Sequence, residues 1–459
     1  MNSSEIEDLR AGRFARDCPA MTLGNGDPDQ PRQFSGPGRL SLDELGHLQV
    51  VLYDPTHDPD PRHLLRTSGV GEWVSESDVY ALEATDLSGR VWRAENLTIG
   101  VDVHVARPGA VVRASLESLS SEWDWDHGGN GWMSLFFPHQ VKAPRNVRTV
   151  TTVEETDVNQ TRRGFELNVW AIKCRDFDVR IRFGDQGFEV SVSMKSAELP
   201  QDLGASIEEA IWFTLGQPLR ADIVRFRQND AEGVVIHSRG RDEALASPMP
   251  PYHISILDSA AVLGAIFCDY YSHVSGNRDG RYHPLSVLVR KALRAEAGTL
   301  EEAALARCVA IEGIVGLNFS DLGGASDETL DAVAAIERIL ADHLESSPIR
   351  SRVEGFFGSV KGSSSRTALH ALAQRGVITD EQLTAWETLR HVAAHGGEYD
   401  IPPREVFELS QRLRTLMMKL IFETIGYQGA YTDYGSQNWP TRRRGRTPEI
   451  ASPDPPTPA

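Results

Sequence analysis

No stretch of this chain runs to the about 18 consecutive apolar residues that a membrane-spanning helix needs. Cysteine is scarce. The 4 present, Cys18, Cys174, Cys268 and Cys308, stand far apart and never form a CxxC pair. That spacing argues against a disulfide frame or a cysteine-based zinc site, and reads as buried or incidental thiols. HExxH is also missing, so the commonest catalytic zinc helix is excluded. Phosphate-cradling loops are absent: there is no GxxxxGK[ST], and no GxGxxG opens a helix, which disfavours an ATPase or a dinucleotide enzyme. The first residues, 1–8, are acidic and carry no apolar core segment, which argues against a secretory signal. These absences lead to the expectation of a cytoplasmic protein that uses no metal and no cofactor and has no membrane partner.

What is present is ordinary in bulk and unusual in charge. The chain has 459 residues, 40% hydrophobic and 24% charged, the balance of a globular protein. That length suggests about three domains, or two large ones. The net charge of -18 repels a polyanion at long range, so phosphate binding would need a local basic patch. Two candidates exist: Arg290-Lys291 with Arg294, and the run Arg442-Arg443-Arg444-Gly445-Arg446. Their bland readings are a solvated face and a disordered tail.

Hydrophobic periodicity divides the chain. Residues 1–38 are polar and rich in Gly, Pro and Asp, and read as a poorly packed lead-in. Over 39–243 the apolar period is two. Val101, Val103 and Val105 alternate with Asp102, His104 and Ala106; Phe165, Leu167 and Val169 with Glu166, Asn168 and Trp170; Phe188, Val190 and Val192 with Glu189, Ser191 and Ser193. Such alternation predicts half-buried strands, in a sandwich or a curled antiparallel sheet. A proline cluster, Pro248-Met249-Pro250-Pro251, marks a linker and connecting segment at 244–284. Beyond it the period becomes helical over 285–428. Leu330, Val333, Ile336, Leu340 and Leu344 form one stripe, and a further helix covers 300–319. Val406, Leu409, Leu413, Leu416 and Leu420 form a second stripe, just after Pro402-Pro403. A bundle of roughly four or five helices follows from these stripes. Residues 429–459 read as a flexible tail. The fold class is therefore α+β, a β-rich half followed by an all-α half.

The chemistry concentrates in Arg390-His391-Val392-Ala393-Ala394-His395, followed at once by Gly396-Gly397. Arg-x4-His spacing is cheap, and with 14 histidines composition alone predicts roughly one occurrence. Three occur. Arg278 to His283 lies in a Gly/Asn/Asp turn before Tyr282-His283-Pro284, and Arg338 to His343 sits mid-helix with apolar Ile339 next to the arginine. Only Arg390 to His395 combines a helix end, a polar neighbour and a glycine stop. Thr379 with Gln382 resembles a capping box that opens this helix, whose apolar face is Leu383, Trp386, Leu389 and Ala393. Five helical positions turn the chain by about 500°, leaving Arg390 and His395 about 140° apart, whereas His391 and His395 share a face. A common cleft therefore needs a reaching arginine or a second copy of the helix across a two-fold axis. A histidine at a helix C-terminus has its protonated form favoured by the dipole, which suits proton transfer.

This arrangement resembles the HEPN superfamily, whose members carry an arginine, a polar residue and a downstream histidine near the end of a helical bundle. The matching residues are Arg390, His391 and His395. A β-rich half ahead of the helical domain is similar to the ApeA-type HEPN proteins of bacterial antiphage defence. The likeness is firmest over 300–425; over the β-rich half it is one of architecture. It implies metal-independent endoribonuclease action on RNA by a homodimer, with a ribose 2′-OH attacking the adjacent phosphate. His395 would move a proton, Arg390 would clamp phosphate oxygens, and His391 would orient the pair or supply a second proton-transfer group. The β-rich half would sense a phage-derived trigger. The rival reading is a catalytically silent dimerisation or binding module, with recognition by the β-rich half.

Two further features stand out. Trp123-Asp124-Trp125-Asp126-His127, with Gly128-Gly129, could hold a cation or stack a base, but it reads first as a strand-connecting loop with packed tryptophans. Glu312, inside an apolar helix, either faces the catalytic cleft or pairs with an arginine.

Overall fold

A computed structural model of the chain describes residues 3–26, 31–56, 79–103, 109–124, 129–154, 161–239, 248–276, 280–322, 324, 327–343, 348–361, 364–395 and 401–444. Within these, the side chains of 3–4, 103, 147–154, 161–167, 342–343, 348, 358–361 and 392–395 lie outside the description. The chain divides into two compact units, 1–204 with 219–244, and 205–218 with 245–459. The class is α+β, with an antiparallel sheet in the first half and helices in the second.

Period-two patterning yields strands around Val101 and Val103, Phe165 to Val169 and Phe188 to Val192, while His104, Val105 and Ala106 lie outside the described residues. The first unit opens with α1 (Ser3–Arg10). In chain order its strands are β1 (Ala15–Gly24), β2 (Gln33–Leu42), β3 (Leu48–Asp54), β4 (Tyr80–Thr85), β5 (Val91–Leu97), β6 (Ile99–Val103), β7 (Ala110–Leu116), β8 (Ser118–Asp124), β9 (Trp132–Phe137), β10 (Val147–Glu154), β11 (Thr161–Lys173), β12 (Phe177–Gly184), β13 (Gly187–Met194), β14 (Ile223–Gln228) and β15 (Ala231–His237). Their spatial order is β10-β11-β12-β13-β9-β14-β15-β8-β5-β4-β1-β2-β3-β7-β6. Glu117 alone separates β7 from β8, yet those two strands hold opposite ends of the run β8-β5-β4-β1-β2-β3-β7. One length of chain, 110–124, thus pins both ends, and the sheet must curl. Ser121 Oγ, donating to Val91 O at 2.7 Å, fastens the closure between β8 and β5. Inside the curl, Leu23, Leu40, Val50, Trp92 and Val112 are buried, and the Trp92 indole N–H donates to Asp86 at 3.0 Å.

Within the lead-in expected over 1–38, residues 15–24 and 33–38 lie instead in this sheet. Pro19, Gly24, Gly36, Pro37 and Gly38 belong to a strand pair rather than to loose chain. A side chain at Gly36 would run into the carbonyl of Tyr53, and one at Gly38 into that of Val51, so the close approach of β2 to β3 requires glycine. Pro19 falls inside the β-bulge between Cys18 and Met21, where no ladder N–H is needed.

The second unit is helical. Its helices are α2 (Leu203–Leu215), all but the first two residues, then α3 (Ser259–Val274), α4 (Pro284–Ala295), α5 (Leu300–Asn318), α6 (Asp327–His343), α7 (Pro348–Lys361), α8 (Ser365–Gln374), α9 (Asp380–His395) and α10 (Pro403–Ile425). Seven of these, α4 to α10, cover the range where four or five were expected, and two more come from outside it. The segment 244–284 contributes α3, whose Leu263, Ile266, Phe267 and Tyr270 are buried, so it is core rather than linker. α2 comes from within the range assigned to strands. It is apolar on nearly every side, the signature of a buried helix, and Phe213 stacks on Tyr270 with ring centroids 4.8 Å apart.

The tail expected from 429 onward is ordered as far as Arg444. β16 (Ala430–Thr432) and β17 (Thr441–Arg443) pair, and Tyr427, Tyr431 and Tyr434 are buried. Thr432 N donates to Pro251 O at 2.9 Å and Tyr434 Oη to Pro250 O at 2.7 Å, which ties this segment to the proline cluster. Residues 445–459 lie outside the description. Cys18 and Cys308 are buried thiols as expected, whereas Cys174 and Cys268 depart from that reading and are disulfide-bonded.

α5 is the central helix, packed against α4, α8, α9 and α10. Its Thr299-Glu302 capping box fixes the start, with Thr299 N donating to Glu302 at 2.8 Å. A buried ion network locks it to α10: Glu296 accepts from both Arg307 and Arg414, and Arg307 also bonds Ser410. Burial opposes the Glu296 charge, but the two guanidiniums outweigh it and hold the carboxyl below its usual range. Burial, with Arg414 nearby, pushes the Arg307 guanidinium down to about 10.

Candidate functional site

α9 begins where the sequence placed it. Thr379 N donates to Gln382 Oε1 at 3.1 Å and Gln382 N to Thr379 Oγ1 at 3.4 Å, both halves of the capping box. Leu383, Trp386 and Leu389 are buried, so the predicted apolar face docks on the bundle; the side chain of Ala393 is outside the description. The opposite flank carries Arg390 and His391 to the surface. The helix runs on to His395, whose side chain, like Gly396 and Gly397, lies outside the described residues.

A cleft of about 600 Å³ opens beside this flank, lined by Glu312, Arg366, Trp386, Glu387, Arg390 and His391 together with Ser364 and Ser365. Arg390 Nε donates to Glu312 Oε1 at 2.5 Å, and its guanidinium carbon lies 5.4 Å from the Trp386 ring centroid. Both alternatives for Glu312 hold together: it faces the cleft and it pairs with an arginine. The geometry of that pair matters. Glu312 takes only the Nε edge, and the two terminal nitrogens of Arg390 have no hydrogen bond or ion pair among the described residues. A guanidinium gripped at one edge and supported by an aromatic face presents its remaining fork in a fixed direction.

The second arginine of the cleft is held similarly. Arg366 Nε donates to Glu387 Oε1 at 2.8 Å, and His370 Nε2 stands 3.5 Å from the same oxygen. Sequence reading missed Arg366, His370 and Glu387. Glu387 was reachable, since it lies four residues before His391 and so shares its helix face. Arg366 and His370 come from α8, and no spacing rule predicts which helix lies beside α9. Below the cleft, burial pushes the Cys308 thiol up to about 12, helped by Glu312, so it is no nucleophile near neutrality.

The other copies of the motif spacing have structural roles or none visible. His283 is the N-cap of α4, its ring nitrogen accepting from Leu285 N at 3.2 Å; Arg278 lies outside the described residues. Arg338 is exposed on α6 and donates to its own helix at Ala334 O. The side chain of His343 is outside the description.

Each basic patch is partly engaged by its own chain. Arg290 lies over Trp212 and Tyr282, at 5.0 and 5.2 Å from their ring centroids. Arg442 pairs with Asp433 at 3.7 Å, and half-buried Arg444 pairs with Glu423. Lys291 and Arg294 are exposed, as a solvated face requires, whereas the second run belongs to an ordered segment as far as Arg444; Gly445 and Arg446 lie outside the described residues.

Trp123 packs against the curled-sheet core under Arg90, 4.3 Å from its ring centroid, and Asp124 is exposed at the end of β8. Trp125, Asp126 and His127 lie outside the described residues. No cluster of three or more His, Cys, Asp or Glu side chains placed to hold a metal occurs among the described residues, and no described helix is long and apolar enough to cross a membrane. Comparison with protein-family models, curated proteins and solved structures finds no match to this chain.

Proposed function

We propose that this protein is a metal-independent endoribonuclease of the HEPN type, acting in bacterial antiphage defence, with the helical unit cutting RNA and the β-rich unit sensing the trigger. The observation that carries the reading is the held guanidinium of Arg390, whose terminal nitrogens have no partner among the described residues, with His391 in the same cleft. A phosphodiester between two ribonucleotides would place its non-bridging oxygens on that fork, in the bidentate geometry guanidinium offers phosphate. The ribose 2′-oxygen then attacks phosphorus, the bond to the 5′-oxygen breaks, and a 2′,3′-cyclic phosphate forms. One group must accept the 2′-OH proton and another must supply a proton to the leaving 5′-oxygen. His395 and His391, one turn apart on α9, are the groups assigned to these transfers. Charge building on the non-bridging oxygens falls on Arg390.

A homodimer belongs to this proposal. Ile336 and Ile339 of α6, and Ile349 and Phe356 of α7, are between 45% and 69% exposed, an apolar face suited to a second copy. The stripe read from sequence forms a helix from Leu330 to Leu340 but is only partly buried in its own chain, Leu330 at 37% and Val333 at 5%; Leu344 lies outside the described residues.

The rival, a silent binding module, has one observation in its favour: each described arginine of the cleft already holds a carboxylate, Arg390 with Glu312 and Arg366 with Glu387. The two readings part in one assay. The full chain incubated with RNA in excess EDTA should leave cyclic-phosphate or 3′-phosphate ends and free 5′-OH. Activity lost to the chelator, with 5′-phosphate ends, would point to a metal nuclease and direct attention to Asp124, Asp126 and His127. Absence of any cleavage across RNAs and activators would favour the module.

A further inference from the structure

In the β-rich unit, the hairpin β12–β13 carries two arginines that the chain leaves without partners. Residues two apart on a strand share a face and stand about 6.6 Å apart along it, so Arg180 and Arg182 project side by side. Both are exposed, and neither makes a hydrogen bond or ion pair among the described residues. The register explains why. Arg180 lies between Ala171 of β11 and Ser191 of β13, small side chains without charge. Arg182 lies between Val169 and Glu189, and Glu189 is already committed. It accepts from Arg10 Nη2 at 2.8 Å and from Ser134 Oγ.

A cleft of about 340 Å³ continues the row past Arg182, where the hairpin turns at Gly184–Gly187. Half-buried Phe183 and buried Phe136 and Phe188 give it an apolar wall. Two guanidiniums cover ring faces there: Arg10 lies 5.0 Å from the Phe136 centroid and Arg145 lies 5.4 Å from that of Phe183. Gln140 Nε2 donates to Asp185 O at 2.8 Å and pins the turn. Carboxylates do not cancel this charge. Asp178, two residues back along β12, faces Lys173 across the ladder, and Asp185 stands exposed on the turn. The strip is therefore locally positive on a chain whose net charge is -18.

We infer that this face docks an extended acidic segment of a partner protein, with two carboxylates on Arg180 and Arg182 and an apolar side chain in the cleft. An extended peptide sends residues i, i+2 and i+4 to one side at the spacing of the strand beneath it, so two acids and one apolar residue at alternate positions match the row. Each guanidinium offers a carboxylate its paired N–H edge. RNA fits less well. The ring faces on which bases would stack are already under arginine, and a polymer charged at every residue is repelled by the acidic body beyond the strip. A free inorganic anion would leave the apolar cleft unused. Such a partner gives the sensing role proposed for this unit its chemistry, and the docking rests on that reading only for its purpose.

The test uses the full chain and two labelled synthetic peptides, Glu-Ser-Glu-Ser-Leu and its reverse Leu-Ser-Glu-Ser-Glu, each flanked by Gly-Ser, read by fluorescence anisotropy and calorimetry. At least one should bind saturably at low ionic strength and weaken as salt rises, because exposed charges are screened. Glutamine in place of both glutamates should abolish saturable binding, and serine in place of leucine should weaken it by about tenfold. Arg180→Ala combined with Arg182→Ala should weaken the bound peptide by about tenfold or more. The melting temperature of that variant should not move, since neither side chain holds anything in the fold. An oligouridylate of equal charge should bind more weakly than the peptide. No saturable binding of either peptide, binding unchanged in the double variant, or an oligouridylate held more tightly by the same arginines overturns the assignment. RNA cleavage plays no part in these readouts, so failure here and failure of the ribonuclease reading are distinguishable.

Discussion

At the scale of single residues, Arg390 is set apart from the other arginines in the spacing motif by its two supports. Glu312 fixes one edge of the guanidinium and the Trp386 ring supports its plane, while Arg338 bonds only its own helix. Pre-organisation of this kind lowers the cost of binding phosphate, and it makes Glu312 a positioning residue. Glu312→Ala should therefore lower kcat for RNA cleavage more than it raises KM. The melting temperature should move little, since an exposed ion pair contributes at most about 1 kcal/mol. If Glu312→Ala instead cleaves faster, the carboxylate competes with phosphate and the positioning role is wrong. The decoys give the opposite expectation. His283→Ala should destabilise the protein by about 1 kcal/mol through loss of the α4 cap, with cleavage per folded molecule unchanged. His343→Ala should also spare cleavage; a dead but folded His343→Ala, beside an active His395→Ala, would show that the wrong copy of the spacing was chosen.

At the scale of elements, the cleft depends on α5 keeping its place beside α9, and the buried Glu296–Arg307–Arg414 network fixes α5 against α10. Glu296→Gln would leave two arginines buried without their anion and should lower stability by roughly 3–5 kcal/mol, measured by denaturant unfolding. The same network sets an acid limit. The folded-state pKa of Glu296 lies below its ordinary value of 4.5, so its contribution is fully present above that value. It is lost as pH falls below 4.5 and through the depressed folded value, because the unfolded chain then binds more protons. In Glu296→Gln this part of the acid dependence should vanish; an unchanged pH–stability curve below 4.5 would contradict the assignment. Elements also show how far the sequence could be read. The α9 and α10 starts were legible because capping and proline rules are local, and both appear in place. α2 was not, because a fully buried helix carries no amphipathic period and its apolar run resembles a core strand. β2 was obscured for the opposite reason: its glycines look like turn residues until the approach of β3 shows why they are needed.

At the scale of the whole molecule, the division into a sheet and a helical bundle was legible from the change of period, and its boundaries were not. Residues 205–218 leave the strand-rich stretch to join the helices, and 430–443 return to them from what read as a tail. Long-range partners decided both, and no local pattern encodes those. Charge had the same limit: the solvated-face and disordered-tail readings favoured for the two basic patches did not foresee that Arg290 lies over aromatic rings or that Arg444 is half-buried and paired with Glu423. The thiol reading that supported a cytoplasmic site holds for Cys18 and Cys308 only, and the disulfide-bonded Cys174 and Cys268 take that support away. Assembly is the property that sequence and fold leave to experiment. Native mass measurement should give twice the chain mass, and Ile339→Glu with Phe356→Glu should return the monomer; a wild-type monomer at micromolar concentration would remove the shared-groove arrangement of α9.

The central claim is that the end of α9 cuts RNA through Arg390 and His395. Its most direct test is the single-turnover cleavage rate of one RNA, in EDTA, for the wild-type chain, Arg390→Ala and His395→Ala, each checked for an unchanged melting temperature. The proposal predicts that Arg390→Ala falls by about 10²-fold or more, as for a lost oxyanion donor, and that His395→Ala loses cleavage altogether. Wild-type rates in either folded variant would contradict it.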